Sequence, residues 1–158
     1  MNSNKSRITL AVLLAVASGA ATAATVSNTM TVTATITQSC TLSPTSTLSF
    51  GDLVAGGSDV TATSSGVSLL CTKGSSPKIY SASDRKIING TEEIPFNLSL
   101  TSGASADDLP TTAPTETNLP TTTGEAQVIP IYGRIPAANY LTKTAGAYSG
   151  TVVLNVDY

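Results

Sequence analysis

Two short motifs could supply a catalytic serine, but the sequence lacks the groups that would activate one. Ser75 and Ser83 each precede a lysine by three residues, at Lys78 and Lys86, which is the Ser-x-x-Lys pattern of penicillin-binding enzymes. In those enzymes the serine begins a helix, and no helical pattern of apolar residues follows either motif. The companion Lys-Thr-Gly is replaced by Lys-Thr-Ala at residues 143–145, and the chain has no histidine to act as a base. We therefore predict that the protein is not an enzyme and has no catalytic, cofactor-binding or metal-binding residues.

The N-terminus has the composition of a secretion signal. Lys5 and Arg7 give it a positive start, residues 8–17 form a short apolar run, and residues 21–23 are small enough for a signal peptidase. The apolar run is shorter than the about 20 residues that a membrane span needs. We predict a signal peptide at residues 1–23, with cleavage there or one or two residues to either side. The mature chain then has 135 residues, which fits one domain.

The two cysteines, Cys40 and Cys71, are best explained by one disulfide, because an even pair in an exported chain usually forms one. A metal site would need further ligands, and there is no histidine to provide them. Loss of the signal leaves six basic and ten acidic residues. This negative balance argues against nucleic acid or an anionic membrane as a partner.

The elements that would position these residues are predicted to be β-strands. The chain is rich in threonine and valine, which favour strands, and in the glycine, proline, asparagine and serine that separate them. Alternating apolar residues predict short strands, with a tight turn at Asn89-Gly90 and an edge or bulge at Pro130. A long exposed loop is predicted at residues 102–124. The predicted strands are at residues 25–42, 48–50, 67–71, 78–82, 86–88, 94–100, 129–135 and 148–158.

The first predicted strand is too long for a domain of this size. From Thr25 to Thr37 its apolar residues occupy even positions, with Asn28 as the exception, and Ser or Thr occupies the odd ones. Residues 25–42 would extend roughly 59 Å as a strand, whereas a 135-residue globule is only about 37 Å across. We therefore expect residues 24–37 to project from the domain of residues 38–158. The apolar positions of this segment are Val26, Met30, Val32, Ala34 and Ile36.

The C-terminal strand presents the opposite problem, because no later segment exists to pair with it. Its apolar register consists of Val152, Leu154, Val156 and Tyr158. The sequence thus has one strand too many at its start and one too few at its end. Addition of a strand from another molecule would solve both problems.

Two motifs make the sequence similar to a known family. Residues 129–136 read IPIYGRIP, and residues 146–151 read GAYSGT before the terminal Val-rich strand. This pair resembles the signature of the spore coat U family, the subunits of archaic chaperone–usher pili, over essentially the whole mature chain. The cysteines also lie where the family places its disulfide. Gly150 departs from the family, which often has an acidic residue there, and the segment at residues 83–85 is shorter than usual.

The resemblance implies an all-β fold, an incomplete immunoglobulin-like sandwich that a neighbouring subunit completes by donating its N-terminal strand. The implied partners are further copies of the chain, a periplasmic chaperone and an outer-membrane usher. The implied product is a surface pilus that serves adhesion and biofilm formation, reached through the periplasm. The alternatives are a minor or tip-proximal adhesive subunit and a secreted coat protein that completes its own fold.

Overall fold

The computed structural model describes residues 23–43, 47–64, 66–103 and 107–158. The chain divides into two units, residues 1–34 and 35–158. In the first unit, residues 23–34 contain no helix or strand and their side chains are exposed. The signal peptide predicted for residues 1–23 lies outside the described residues, except for Ala23. No helix within the described ranges combines the length and apolar character needed to cross a membrane.

The regular elements of the second unit are short strands and one 3-10 helix of three residues, which confirms the all-β fold class. Every strand pairing is antiparallel. The regular elements among its described residues are β1 Cys40–Leu42, β2 Val60–Thr63, β3 Val67–Cys71, β4 Lys78–Tyr80, β5 Lys86–Asn89, β6 Glu92–Pro95, β7 Asn97–Ser99, β8 Gln127–Ile129, β9 Tyr132–Ile135, a 3-10 helix at Ala137–Asn139, and β10 Asn155–Asp157.

The strands form four small sheets around one hydrophobic core. Their orders are β1-β3-β8, β2-β9-β7, β4-β10 and β5-β6. Each sheet sends buried side chains into the same cluster, which is consistent with the predicted immunoglobulin-like sandwich. The alternation predicted in β3 is confirmed, since its first, third and fifth residues are all buried. The most deeply buried large side chains are Leu69, Ile79, Ile94, Leu98, Leu109 and Ile135.

The predicted turn and the predicted proline break are both found. Asn89 pairs with Glu92 across a two-residue turn, and Gly90 at the first turn position has a φ of 59°. This positive φ is one that glycine adopts without strain. Pro130 follows the last residue of β8, an edge strand of its sheet, and the chain then continues as β9 in a different sheet.

Two of the predicted strands are much shorter than the sequence pattern suggested. The register of residues 25–42 becomes a strand only at Cys40–Leu42, where it pairs with residues 69–71 of β3. At the C-terminus, β10 covers Asn155–Asp157, while Ser149 makes an isolated bridge to Ile88.

The strand predicted at residues 48–50 is wrong. Leu48 and Phe50 instead pack against the bare backbone of Gly133 in β9. A Cβ atom on Gly133 would lie 2.7 Å from Leu48 Cδ2 and 2.8 Å from Phe50 Cζ. Phe50 also contacts the ring of Phe96, with 5.6 Å between ring centroids. These residues therefore cover the core without joining a ladder.

The loop at residues 102–124 is less exposed than predicted. Leu109 and Leu119 are buried in the core, and the Thr122 hydroxyl donates a hydrogen bond to the Thr72 carbonyl at 2.7 Å. These anchors are isolated residues without a repeating pattern, so periodicity alone could not reveal them.

Candidate strand-acceptor site

Within the described residues, strands pair with the C-terminal segment, residues 149–158, along one edge only. Ser149 and Ile88 exchange two backbone hydrogen bonds, at 2.8 and 3.2 Å, and β10 pairs with β4 further along. Among the described residues, no strand lies along the opposite edge of β10. A strand in this position presents unsatisfied backbone donors and acceptors to any chain that can align with it.

A groove with a volume of about 880 Å³ adjoins the start of this segment. We call it the acceptor groove. It is lined by residues 47–53 and Ala55, by residues 140–141 and 143–150, and by Ile87 and Ile94. Ile94 is buried at its base, while Leu48, Phe50 and Leu53 are half-buried and contribute apolar surface. A groove that contains apolar side chains can accept a segment whose alternate residues are apolar.

The residues predicted to accept a strand, those of the C-terminal register, do not line this groove, although the segment that carries them follows the lining residue Gly150 directly along the chain. Val152, Leu154 and Val156 are half-buried and pack against the core, whereas Tyr158 is exposed and follows the end of β10. Sequence reasoning missed the groove lining at residues 47–55 and 140–150. One available signal is the apolar Leu48-x-Phe50 pair beside a turn-rich segment, a pattern that by itself predicts a strand.

The five predicted donor residues are all exposed. The relative exposure is 93% for Val26, 85% for Met30, 80% for Val32 and 86% for Ile36, and Ala34 is also exposed. A run of alternate large apolar side chains in water is unusual for a soluble protein and marks an interaction site. These residues belong to a segment, residues 23–39, that forms no helix or strand.

A cluster of hydrogen bonds to the Glu92 carboxylate holds residues at one side of the acceptor groove. Glu92 Oε2 accepts hydrogen bonds from the Thr144 amide at 2.8 Å, the Thr144 hydroxyl at 3.0 Å and the Tyr148 hydroxyl at 2.6 Å. The bond from Tyr148, followed by those from Thr144, holds the pKa of Glu92 below its ordinary value. The same carboxylate raises the pKa of Tyr148. The cluster therefore exists at neutral pH with Glu92 ionised and Tyr148 protonated.

The octapeptide at residues 129–136 has mainly a structural role. Ile129, Ile131 and Ile135 are buried. The Arg134 guanidinium on the other face of β9 contacts the Asp59 carboxylate, whose other oxygen accepts the Ala137 amide at 2.7 Å. The backbone bond from Ala137, and then the bond from Arg134, lower the pKa of Asp59. The contact ties the residues before β2 to the end of β9.

The predicted disulfide is confirmed. Cys40 and Cys71 are directly opposite each other in the β1–β3 pair and are covalently joined. The bond links the first residue of β1 to the last residue of β3, the middle strand of its sheet.

The similarity to known proteins agrees with this architecture. The family model of the Spore Coat Protein U domain matches residues 26–155. No curated protein matches the chain. The matched range begins at Val26, so it includes the exposed N-terminal residues together with the sandwich. The chain therefore belongs to the Spore Coat Protein U domain family.

Proposed function

We propose that this protein is a structural pilus subunit assembled by the chaperone–usher pathway through donor-strand complementation. The proposal is carried by one observation, the presence in a single chain of an exposed alternating apolar segment, a groove, and a C-terminal strand with one edge that no described strand covers. Membership of the Spore Coat Protein U domain family supports it. The donor is residues 24–37 of one subunit, and the acceptor is the groove and the β10 edge of the next.

The chemistry of the two parts is complementary. Each of the larger donor side chains would gain on the order of 1.5–3 kcal/mol on leaving water, before the cost of ordering the segment. Backbone hydrogen bonds to the β10 edge would set the direction and the register in which the donor segment binds. Repetition of this contact gives an open linear polymer, since the donor and acceptor surfaces differ.

The pathway follows from the need to cover the open edge before assembly. A periplasmic chaperone would occupy it first, and the outer-membrane usher would exchange the chaperone for the donor segment of the next subunit. The product would be an extracellular fibre that promotes adhesion and biofilm formation. Without a chaperone we expect the mature chain to polymerise or aggregate, because an open apolar edge promotes aggregation. A well-folded monomer with an intact N-terminal segment would favour a coat protein that completes its own fold.

Substitutions in the donor segment test the proposal. Val32→Asp would bring a carboxylate against the apolar side chains of the groove, where an unpaired charge costs several kcal/mol. Thr33→Asp is the matched control, because adjacent residues of a strand point to opposite faces. We expect Val32→Asp subunits to co-purify with the chaperone but to form no surface fibres, and Thr33→Asp subunits to form them. Normal fibres from Val32→Asp, or loss of its chaperone complex, would show that the assignment is wrong.

A further inference from the structure

Glu92 connects the β5–β6 hairpin to the segment that lines the acceptor groove. Its carboxylate oxygen accepts all three hydrogen bonds from Thr144 and Tyr148, which are separated from it by 52 and 56 residues. Both partners line the groove. Residues 141–148 contain no helix or strand. Side-chain hydrogen bonds therefore help to hold their backbone in one conformation.

These three hydrogen bonds, which we call the Glu92 anchor, hold the residues that directly precede the C-terminal segment. Tyr148 is followed directly by Ser149, which is held to Ile88 by two backbone hydrogen bonds. The anchor therefore fixes the groove lining and the start of the open edge together. A groove that is already ordered binds an incoming strand more tightly, since less conformational entropy is lost on binding.

We propose that Glu92 is a positioning residue for strand acceptance, and that it acts by holding residues 144–148 in the shape that retains a donor segment. This inference rests on the proposed function and adds a residue outside the donor segment and the C-terminal strand. Loss of the carboxylate frees this part of the lining, and a bound donor segment then dissociates faster.

The same arrangement makes strand retention sensitive to acid. Hydrogen bonds favour the ionised form of Glu92, so its pKa is lowered, and the anchor is intact above that pKa and lost as the pH falls through it. The groups facing the cluster are Lys143, whose positive charge also favours the carboxylate, and Asn89, which faces the Tyr148 hydroxyl. Residues 24–37 contain no ionisable side chain. Any pH dependence of their binding must therefore come from the acceptor.

A peptide-release experiment tests the inference. The acceptor is the full mature chain carrying Val32→Asp, which disables its own donor segment, refolded with excess peptide. The peptide is residues 24–37 with capped termini and a fluorescent label, and its release is followed after addition of unlabelled peptide. At neutral pH we expect Glu92→Gln to speed release on the order of tenfold. Glu93→Gln is the control, since Glu93 pairs with Lys86 instead and should leave the rate unchanged.

The pH profile separates positioning from general destabilisation. As the pH falls, release from the parent acceptor should accelerate until it approaches the rate of Glu92→Gln, whose own rate should change less. Tyr148→Phe keeps the ring and removes one bond to the anchor, so it provides the same test if Glu92→Gln does not fold. Adding Tyr148→Phe to Glu92→Gln should have little further effect, because both act through one cluster.

The outcomes distinguish this inference from the proposed function. If Glu92→Gln or Tyr148→Phe releases the peptide at the parental rate and with the parental pH profile, Glu92 is not a positioning residue, although strand acceptance stands. If the parent acceptor takes up no peptide, strand acceptance itself fails, and the role of Glu92 fails with it.

Discussion

The Arg85 guanidinium is buried against the carboxylate of Asp107, 22 residues further along the chain. The Arg85 side chain is only 6% exposed, and its second terminal nitrogen donates to the Leu109 carbonyl at 2.6 Å. Asp107 also accepts the Leu98 amide at 2.9 Å. This single pair therefore fastens the long loop after β7 to the segment before β5.

Removal of Asp107 should destabilise the domain. Asp107→Ala leaves a buried guanidinium without its carboxylate, so we expect a loss of about 2–4 kcal/mol in the free energy of unfolding. Glu116→Ala, which removes an exposed carboxylate from the same loop, should have almost no effect. Guanidinium chloride unfolding followed by circular dichroism measures both in the Val32→Asp chain refolded with the donor peptide, because we expect the mature chain alone to polymerise or aggregate. Equal midpoints for the two variants would contradict the structural role of the pair.

The disulfide should be needed for accumulation of the subunit. Cys40 and Cys71 are 31 residues apart, and closing a loop of this size stabilises a folded chain by about 3–4 kcal/mol in the chain-entropy model. We expect Cys40→Ser/Cys71→Ser protein to be degraded after export, as seen by immunoblotting of periplasmic extracts. Reductant should lower the unfolding midpoint of the parent and leave that of the double variant unchanged. Normal levels and normal fibres from the double variant would count against this prediction.

A side chain at position 133 in place of Gly133 should destabilise the domain. A methyl group there meets Leu48 and Phe50, so Gly133→Ala should cost about 1–3 kcal/mol through overpacking. The cost should shrink when Leu48→Ala and Phe50→Leu make room for the new methyl group, and a thermodynamic cycle of unfolding free energies measures this coupling. Additive costs would mean that the three residues do not form the predicted contact.

Asp59 should contribute to the loss of stability in acid. Its lowered pKa means that its contribution is present above the ordinary pKa of an aspartate and is lost as the pH falls through the lower, folded value. We expect Asp59→Asn to unfold more easily than the parent at neutral pH, and the difference to vanish in acid. Asp52→Asn, at an exposed position, should match the parent throughout. A difference for Asp59→Asn that persists below its pKa would point to a cause other than its charge.

The sequence predicted features that depend on local patterns. Alternation identified β3 and the apolar residues of β6 and β7, and Asn89-Gly90 marked the hairpin turn. The cysteine pair was also predictable, because two cysteines in a chain with a predicted secretion signal have few alternatives to a disulfide. Strand β2 was missed although its four residues, Val60–Thr63, alternate between apolar and polar, because so short an alternation becomes a strand only through its pairing with β9.

The candidate site was harder to predict because its parts are far apart in sequence. The acceptor groove combines residues 47–55 with residues 140–150, and Glu92 meets Tyr148 across 56 residues. Contacts between such distant residues leave no periodic pattern of apolar residues in the local sequence. The donor segment differs in this respect, because its alternation is visible in the sequence itself. Binding of this segment to the acceptor groove of a neighbouring subunit remains a prediction, which the Val32→Asp experiment tests.

The position of the disulfide has a mechanical consequence for a fibre assembled in the proposed way. Tension along such a fibre would enter each subunit through its N-terminal segment and reach the sandwich at Cys40. From there a covalent bond transmits the force to Cys71 in the central strand β3, so the load does not rest on the three residues of β1 alone. A reduced fibre pulled in a force spectrometer would then lengthen at lower force than an oxidised one, by peeling β1 away from β3.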